Sequence, residues 1–193
     1  MGVSFARFAE LHIRENIMLR RVLLIAASAL ALTVAGLGQG AWAAVTEDEV
    51  KTALAEFERT NAKITPFIQG AHGYAVFPSV GKGAIGIGGA HGSGLVYEKG
   101  KLIGKTSLSQ VTIGFQLGGQ AYRELICFQT KDALDKFKGG NYEFDAQAGA
   151  VAVTAGVSVD AAYEHGVAIF TMAKGGLMYE ASVGGQKFTF EPK

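Results

Sequence analysis

Three histidines and one serine are the side chains in this sequence best suited to catalysis or metal binding. His72, His91 and His165 stand far apart, without a cysteine partner or the short-spaced pair of histidines that is typical of a zinc site. Ser93 is flanked by glycines, but they do not form the Gly-x-Ser-x-Gly elbow of a serine hydrolase. We therefore predict no metal site and no nucleophilic serine.

Two pairs of neighbouring carboxylates have the chemistry of general acids and bases, namely Asp132 with Asp135 and Glu143 with Asp145. The first pair lies on the solvent face of a predicted helix, and the second lies at the start of an extended segment. No pattern supplies a nucleophile, a base and an oxyanion hole together. We therefore predict that the protein is not an enzyme and has no catalytic residues.

Glycines at positions 81, 83 and 86 match the Gly-x-Gly-x-x-Gly string of dinucleotide-binding proteins. That string requires a preceding strand and a following helix, whereas here a glycine-rich extended segment continues through residues 87–90. We predict no nucleotide and no other cofactor.

Four cationic side chains are candidates for contact with phosphate groups. They are Lys51, Arg59, Lys63 and Lys82. An ammonium or a guanidinium group suits the phosphate of a lipid headgroup. The alternative is that the four residues only form a solvated surface, and the sequence leaves both interpretations open.

The first 43 residues have the pattern of a secretory signal peptide. Met18 begins a short basic segment, residues 22–34 are almost entirely apolar, and Ala-Trp-Ala at 41–43 is typical of a cleavage site. The apolar run is shorter than the roughly 20 residues of a membrane-spanning helix. We predict cleavage near Ala43 and export to the periplasm, with residues 1–17 as a non-native extension.

Residues 44–193 are predicted to form one domain, since they contain no linker long enough to separate two. Without the predicted signal peptide the chain has 14 basic and 15 acidic residues, a formal charge of −1. This balance argues against nucleic acid as a partner. Cys127, the single cysteine, lies in an apolar, strand-like setting and is predicted to be a buried, inert thiol.

An amphipathic helix is predicted at the start of this domain. Thr46 and Glu49 form a capping-box pattern, and Val50, Leu54 and Phe57 then fall on one apolar stripe. The pattern predicts a helix that runs to about residue 63, with the following proline at 66 preventing its continuation. The stripe suits two roles, because it can pack on a sheet or insert into a membrane surface.

The remainder of the sequence is predicted to be mostly antiparallel sheet. The predicted strands cover residues 74–77, 84–89, 94–98, 102–107, 111–118, 121–128, 150–158, 167–172, 177–183 and 187–190. Glycine-containing hairpin turns are predicted at 98–101 and 173–176, and one short helix at 130–138. The predicted class is α+β, with a glycine-rich, strongly curved or barrel-like sheet, an N-terminal amphipathic helix and one further short helix.

Glycine recurs inside the predicted strands, where it normally weakens a sheet. The positions are Gly86, Gly88, Gly89, Gly114 and Gly118. Three explanations fit: close packing on the sheet, a sharp bend of the sheet, or an elongated ligand such as an acyl chain passing over it.

The glycine-rich run also carries a family resemblance. It contains Ala-Val-Phe at 75–77, Gly-Ser-Gly-Leu-Val at 92–96 and Gly-Gly-Gln at 118–120, separated by a lysine–glycine step at Lys82. These motifs resemble the SYLF (Ysc84-type) domain family, and the resemblance extends over about residues 46–190. One departure is Lys-Thr-Ser-Leu at 105–108, where eukaryotic members have Trp-Ser-x-Pro.

The resemblance implies a lipid-binding domain that uses its N-terminal helix and nearby basic residues, with actin as a further ligand in fungi. Carried over to this chain, it implies that Val50, Leu54 and Phe57 contact lipid together with the four cationic residues above. The leading hypothesis is a periplasmic phospholipid-binding protein of the cell envelope. The alternative is a structural or protein-interaction module of the envelope without a lipid ligand; the sequence sets no oligomeric state.

Overall fold

The computed structural model describes residues 45–85, 87–113, 118–140, 142–145, 149–155, 162–174 and 183–193. The predicted signal peptide, residues 177–182 of the predicted strand at 177–183, and the glycines at 86 and 114 lie outside these ranges. No helix in the described ranges is both long enough and apolar enough to cross a membrane.

Three α-helices occur in this part of the chain. They are α1 (Glu47–Thr60), α2 (Thr65–Gly70) and α3 (Lys131–Lys138), with a 3₁₀ turn at Ala62–Ile64 between the first two. The capping box of α1 is confirmed, because the Thr46 hydroxyl accepts from the Glu49 N–H and the Glu49 carboxylate accepts from the Thr46 N–H. Thr130 caps α3 as predicted.

The prediction of only one helix besides α1 was wrong, because α2 was missed. Helix α1 ends at Thr60, and Pro66 lies in the first turn of α2. A proline is tolerated there because the first N–H groups of a helix have no intrahelical acceptor. Pro66 therefore helps to start a second helix.

In the described ranges eight strands form one curled sheet, a half-barrel. They are β1 (Gly73–Ile85), β2 (Ile87–Glu98), β3 (Lys101–Ile113), β4 (Gly118–Phe128), β5 (Tyr142–Glu143), β6 (Val151–Ala152), β7 (Val167–Ala173) and β8 (Lys187–Pro192). Their order is β5-β8-β3-β2-β1-β4-β7-β6. Every adjacent pair is antiparallel except β6 and β7, which run parallel.

The predicted strand over residues 84–89 was wrong, because the chain reverses direction within it. Strand β1 ends at Ile85, β2 begins at Ile87, and Ala84 pairs with Gly88. The extended pattern continues through the reversal, so periodicity alone did not mark it. The predicted turn at 98–101 is confirmed: Lys99 and Gly100 have positive φ angles of 48° and 76°.

Predicted strand 150–158 is also too long, because the described residues 153–155 lie outside β6. Val183, the last residue of another predicted strand, is not in a strand. Within these segments Val153 and Val183 are apolar and buried. Burial of irregular backbone therefore produced a strand-like pattern of side chains.

The sheet is covered on both faces. On one, here called the α1 face, Val50, Ala53 and Phe57 of α1 pack with side chains of β1, β2, β4 and β7. On the other, the α3 face, α3 and the segment 183–186 pack over the same strands and over β3 and β8. An ion pair of 2.6 Å between Glu56 and Arg123 also joins α1 to β4.

Close contacts account for one of the strand glycines named above, Gly89, and for a further one, Gly94. A Cβ atom on Gly89 or Gly94 would lie 3.2 Å or 2.5 Å, respectively, from a backbone oxygen of the adjacent strand. On Gly94 it would also lie 2.9 Å from the Phe77 ring. At these two sites neighbouring atoms of the sheet itself fill the space that a side chain would take.

Candidate functional site

The apolar stripe of α1 lies against the sheet. Val50 is 1% exposed and Phe57 is 0% exposed, and Leu54 is half-buried beside the same cluster. Of the two roles that the sequence left open for the stripe, this conformation shows packing on the sheet. In this conformation Val50 and Phe57 are part of the core and do not face a membrane.

The four candidate cations do not converge on one site. Lys51, Arg59 and Lys63 are exposed on α1 and the turn after it, and Lys51 Nζ lies 3.3 Å from Asp48 Oδ1. Lys82 lies on β1 opposite Ala90, whose side chain is in the core cluster of the α3 face. Lys82 is therefore on the opposite side of the sheet from α1.

A cleft of about 530 Å³ lies between the two edges of the half-barrel. Strand β5 and the residues after it form one wall, and β6, β7 and the turn before β7 form the other. We call it the seam cleft; its lining residues are 142–145, 149–151, 162, 164, 165 and 167–169. Its size is within the range of roughly 300–1,000 Å³ usual for ligand sites.

The base of the seam cleft is apolar and aromatic. Val167 and Ile169 of β7 are each 8% exposed, and Phe144 is 5% exposed. The Phe144 ring centroid lies 5.5 Å from that of Tyr142 and 5.0 Å from that of Phe188. Burial raises the pKa of the Tyr142 phenol, and the negative charge of Asp145 adds to the effect.

A tight turn fixes the polar rim of the cleft. Glu164 and Val167 exchange two backbone hydrogen bonds of 2.9 Å each. Between them His165 and Gly166 have positive φ angles of 51° and 82°, the conformation that suits a two-residue hairpin turn. The turn therefore holds the backbone of Glu164 and His165 beside the cleft.

A buried polar cluster lies on the α3 face of the sheet. Glu124 of β4 is 0% exposed, and its Oε2 accepts a 3.0 Å hydrogen bond from Gln186 Nε2. The same nitrogen donates to the Tyr122 hydroxyl at 3.1 Å. Burial raises the pKa of Glu124 to about 8, and the Gln186 hydrogen bond only partly opposes that shift. Glu124 is therefore largely protonated at neutral pH.

This cluster anchors the segment 183–186 to the sheet. Gly184 O accepts from Gln110 Nε2 at 2.8 Å, and Phe144 N donates to Gln186 O at 3.0 Å. Among the described residues, Glu124 Oε1 has no hydrogen-bond partner. The sequence analysis missed Glu124, although an acid at an inward position of a predicted apolar strand was a usable sign.

Other residues singled out in the sequence are held in ion pairs or are buried. His72 Nε2 lies 2.9 Å from Glu98 Oε1, and Asp135 pairs with Lys138 at 2.8 Å. Cys127 is buried, and burial raises the pKa of its thiol to about 12, which confirms the inert thiol. No group of three or more potential metal ligands occurs in the ranges that the structure describes.

The second half of this architecture matches a known family. Residues 109–193, from the end of β3 onward, match the Ysc84 family model, described as Las17-binding protein actin regulator. The match supports the SYLF resemblance seen in the sequence, over this part of the chain. The SYLF match includes the buried cluster from Tyr122 to Gln186 and every residue that lines the seam cleft.

The chain is also similar to the beta cell expansion factor A of Aeromonas veronii. The two are 29% identical over 133 residues, which cover 68% of this chain and 49% of the relative. The chain therefore spans about half the length of this curated relative. SYLF domains are binding domains for lipids and actin and are not enzymatic. The family match begins at residue 109, after most of the glycine-rich run from which the resemblance was read.

Proposed function

We propose that this protein is a non-enzymatic phospholipid-binding protein of the cell envelope, exported to the periplasm. The observation that carries the proposal is the seam cleft, which opens between two sheet edges and has an apolar base. The match to a lipid-binding family supports it independently of the cleft.

The amphipathic lining of the cleft suits a lipid better than a fully polar ligand. Val167 and Ile169, each 8% exposed, border the cleft with apolar atoms, and covering apolar surface is favourable by about 25 cal/mol per Å². Polar side chains at Asp145 and Glu164 lie where a headgroup would meet solvent. One molecule with an apolar chain and a polar head fits both features.

Surface contact through α1 is a second part of the proposal. Its cations at 51, 59 and 63 are exposed, whereas its apolar stripe is buried, so α1 can touch membrane phosphates without inserting. Exposed ion pairs of this kind are weak, about 0–1 kcal/mol each. We therefore expect the cleft, and not α1, to determine which lipid stays bound after purification.

Filling the cleft should abolish lipid retention. In the Ala150→Trp variant the indole would occupy space between the cleft walls, so co-purifying phospholipid should fall at least about tenfold, the factor that corresponds to 1.4 kcal/mol. The measurement is native mass spectrometry with lipid extraction, on protein purified from its host. The matched control is Ala55→Trp on the exposed side of α1.

Circular dichroism must first show that both variants fold. If Ala150→Trp does not fold, Ala162→Trp at the exposed rim replaces it. Equal lipid content in the cleft variant and the control would contradict an internal site. If the mass spectrum shows only lipid-free protein and the protein does not sediment with vesicles, the alternative is favoured, namely an envelope interaction module without lipid.

Export is tested separately. The protein recovered from the periplasmic fraction should begin at Ala44, because the Ala-x-Ala pattern ends at residue 43. Edman sequencing or intact mass measures this directly. Recovery only from the cytoplasm with residues 18–43 attached would contradict the proposed localisation.

A further inference from the structure

The titratable side chains that line the seam cleft are mostly acidic. Among the described lining residues, Glu143, Asp145 and Glu164 are carboxylates, and the other titratable groups are His165 and the Tyr142 phenol. No lysine or arginine is among the described residues that line the cleft. Lys187 Nζ lies 3.5 Å from Glu143 Oε2 and compensates one of the three negative charges.

The two other carboxylates come from opposite walls. Asp145 follows β5, whereas Glu164 belongs to the turn before β7. Both residues are exposed, so their charges lie at the mouth of the cleft above the apolar base. A ligand whose chain enters the cleft therefore has its headgroup beside negative charge.

Building on the proposed lipid-binding function, we propose that the seam cleft selects lipids whose headgroup carries a cationic amine over lipids with a net negative headgroup. An ammonium group at the mouth is attracted by Asp145 and Glu164 and can donate hydrogen bonds to their oxygens. An anionic headgroup at the same place is repelled. A zwitterionic lipid is attracted through its amine when the headgroup folds so that the amine meets the rim and the phosphate faces solvent.

The expected selectivity is moderate, because the rim is exposed to water. Each carboxylate should contribute about two- to fivefold in affinity, the range of exposed charge pairs. The two together give a preference of about four- to 25-fold for the amine headgroup at low salt. Raising the ionic strength should reduce this preference, since the Debye length falls to about 3 Å at 1 M salt.

The test compares two soluble short-chain lipids with identical acyl chains, dihexanoyl phosphatidylethanolamine and dihexanoyl phosphatidylglycerol. Their dissociation constants are measured by titration calorimetry, below the concentration at which they form micelles. The decisive variant is Asp145→Asn with Glu164→Gln, which removes both charges and keeps the side-chain shapes. The matched control is Asp48→Asn with Glu58→Gln, which makes the same charge change on α1.

We expect the wild type and the control to prefer the ethanolamine lipid and the rim variant to lose that preference. If both lipids bind the wild type equally, or the glycerol lipid binds more tightly, the headgroup proposal is overturned. In that case the lipid-binding function survives provided that Ala150→Trp still weakens both lipids. If neither lipid binds the wild type, the proposed function and the headgroup proposal both fail.

Discussion

Replacing Glu124 with glutamine should raise the free energy of unfolding at pH 8 and leave it almost unchanged at pH 4. The carboxyl group has a pKa of about 8 in the folded protein, against an ordinary value of 4.5. Its proton is therefore retained on folding but lost on unfolding between these two pH values. The wild type should lose up to about 1.4 kcal/mol of stability per pH unit across that window.

The direction of this pH dependence follows from which state, folded or unfolded, holds the proton. Below pH 4.5 both states are protonated, so Glu124 adds no pH dependence, and above pH 8 both are ionised, so the loss is complete. Glutamine mimics the neutral acid: its Oε1 can accept from Gln186 Nε2 as Glu124 Oε2 does. The variant should therefore lack this part of the pH dependence.

Urea unfolding at several pH values from 4 to 9 measures the effect. The control is Glu191→Gln, which changes an exposed glutamate on β8 and should keep the wild-type slope. If the unfolding free energies of wild type and Glu124→Gln change equally with pH, Glu124 is ionised in the folded protein. That result would contradict the neutral, buried cluster with Gln186.

Truncating Phe57 to alanine should destabilise the protein by about 3–5 kcal/mol, the usual cost of removing a fully buried aromatic ring. Phe57 is 0% exposed and packs on the sheet with Ile64, Leu125 and Phe170 in one cluster. Leu54→Ala, at a half-buried position of the same helix, should cost less. The midpoint of urea unfolding at constant m-value measures both.

The same variants test whether α1 acts as core or as a membrane anchor. If α1 is core, folded Phe57→Ala protein at low temperature should retain lipid in the seam cleft at the wild-type level. If Phe57→Ala lowers the free energy of unfolding by less than about 1 kcal/mol and abolishes vesicle binding, Phe57 contacts a membrane instead. Exposed Lys51 provides the surface control, since Lys51→Ala should change stability by less than about 0.5 kcal/mol.

Local patterns predicted the local structure well. The capping box at Thr46, the cap at Thr130 and the Lys99–Gly100 turn were predictable because each depends on residues within a few positions of one another. The reversal between Ile85 and Ile87 was not, because the extended pattern runs through it unchanged. The curled, mostly antiparallel sheet was predicted from short, glycine-punctuated runs and the family resemblance, although β1 to β4 are 11–13 residues long.

By itself the sequence determined the fold class, the capped helices, the buried cysteine and the family resemblance. Only the tertiary structure decided that the α1 stripe is core, that Lys82 is on the other face from the α1 cations, and where ligand space exists. The seam cleft joins residues near 143 to residues near 165, and the buried cluster joins Glu124 to Gln186. Such sites arise when a sheet curls and brings distant segments together, and periodicity within one segment carries no information about that approach.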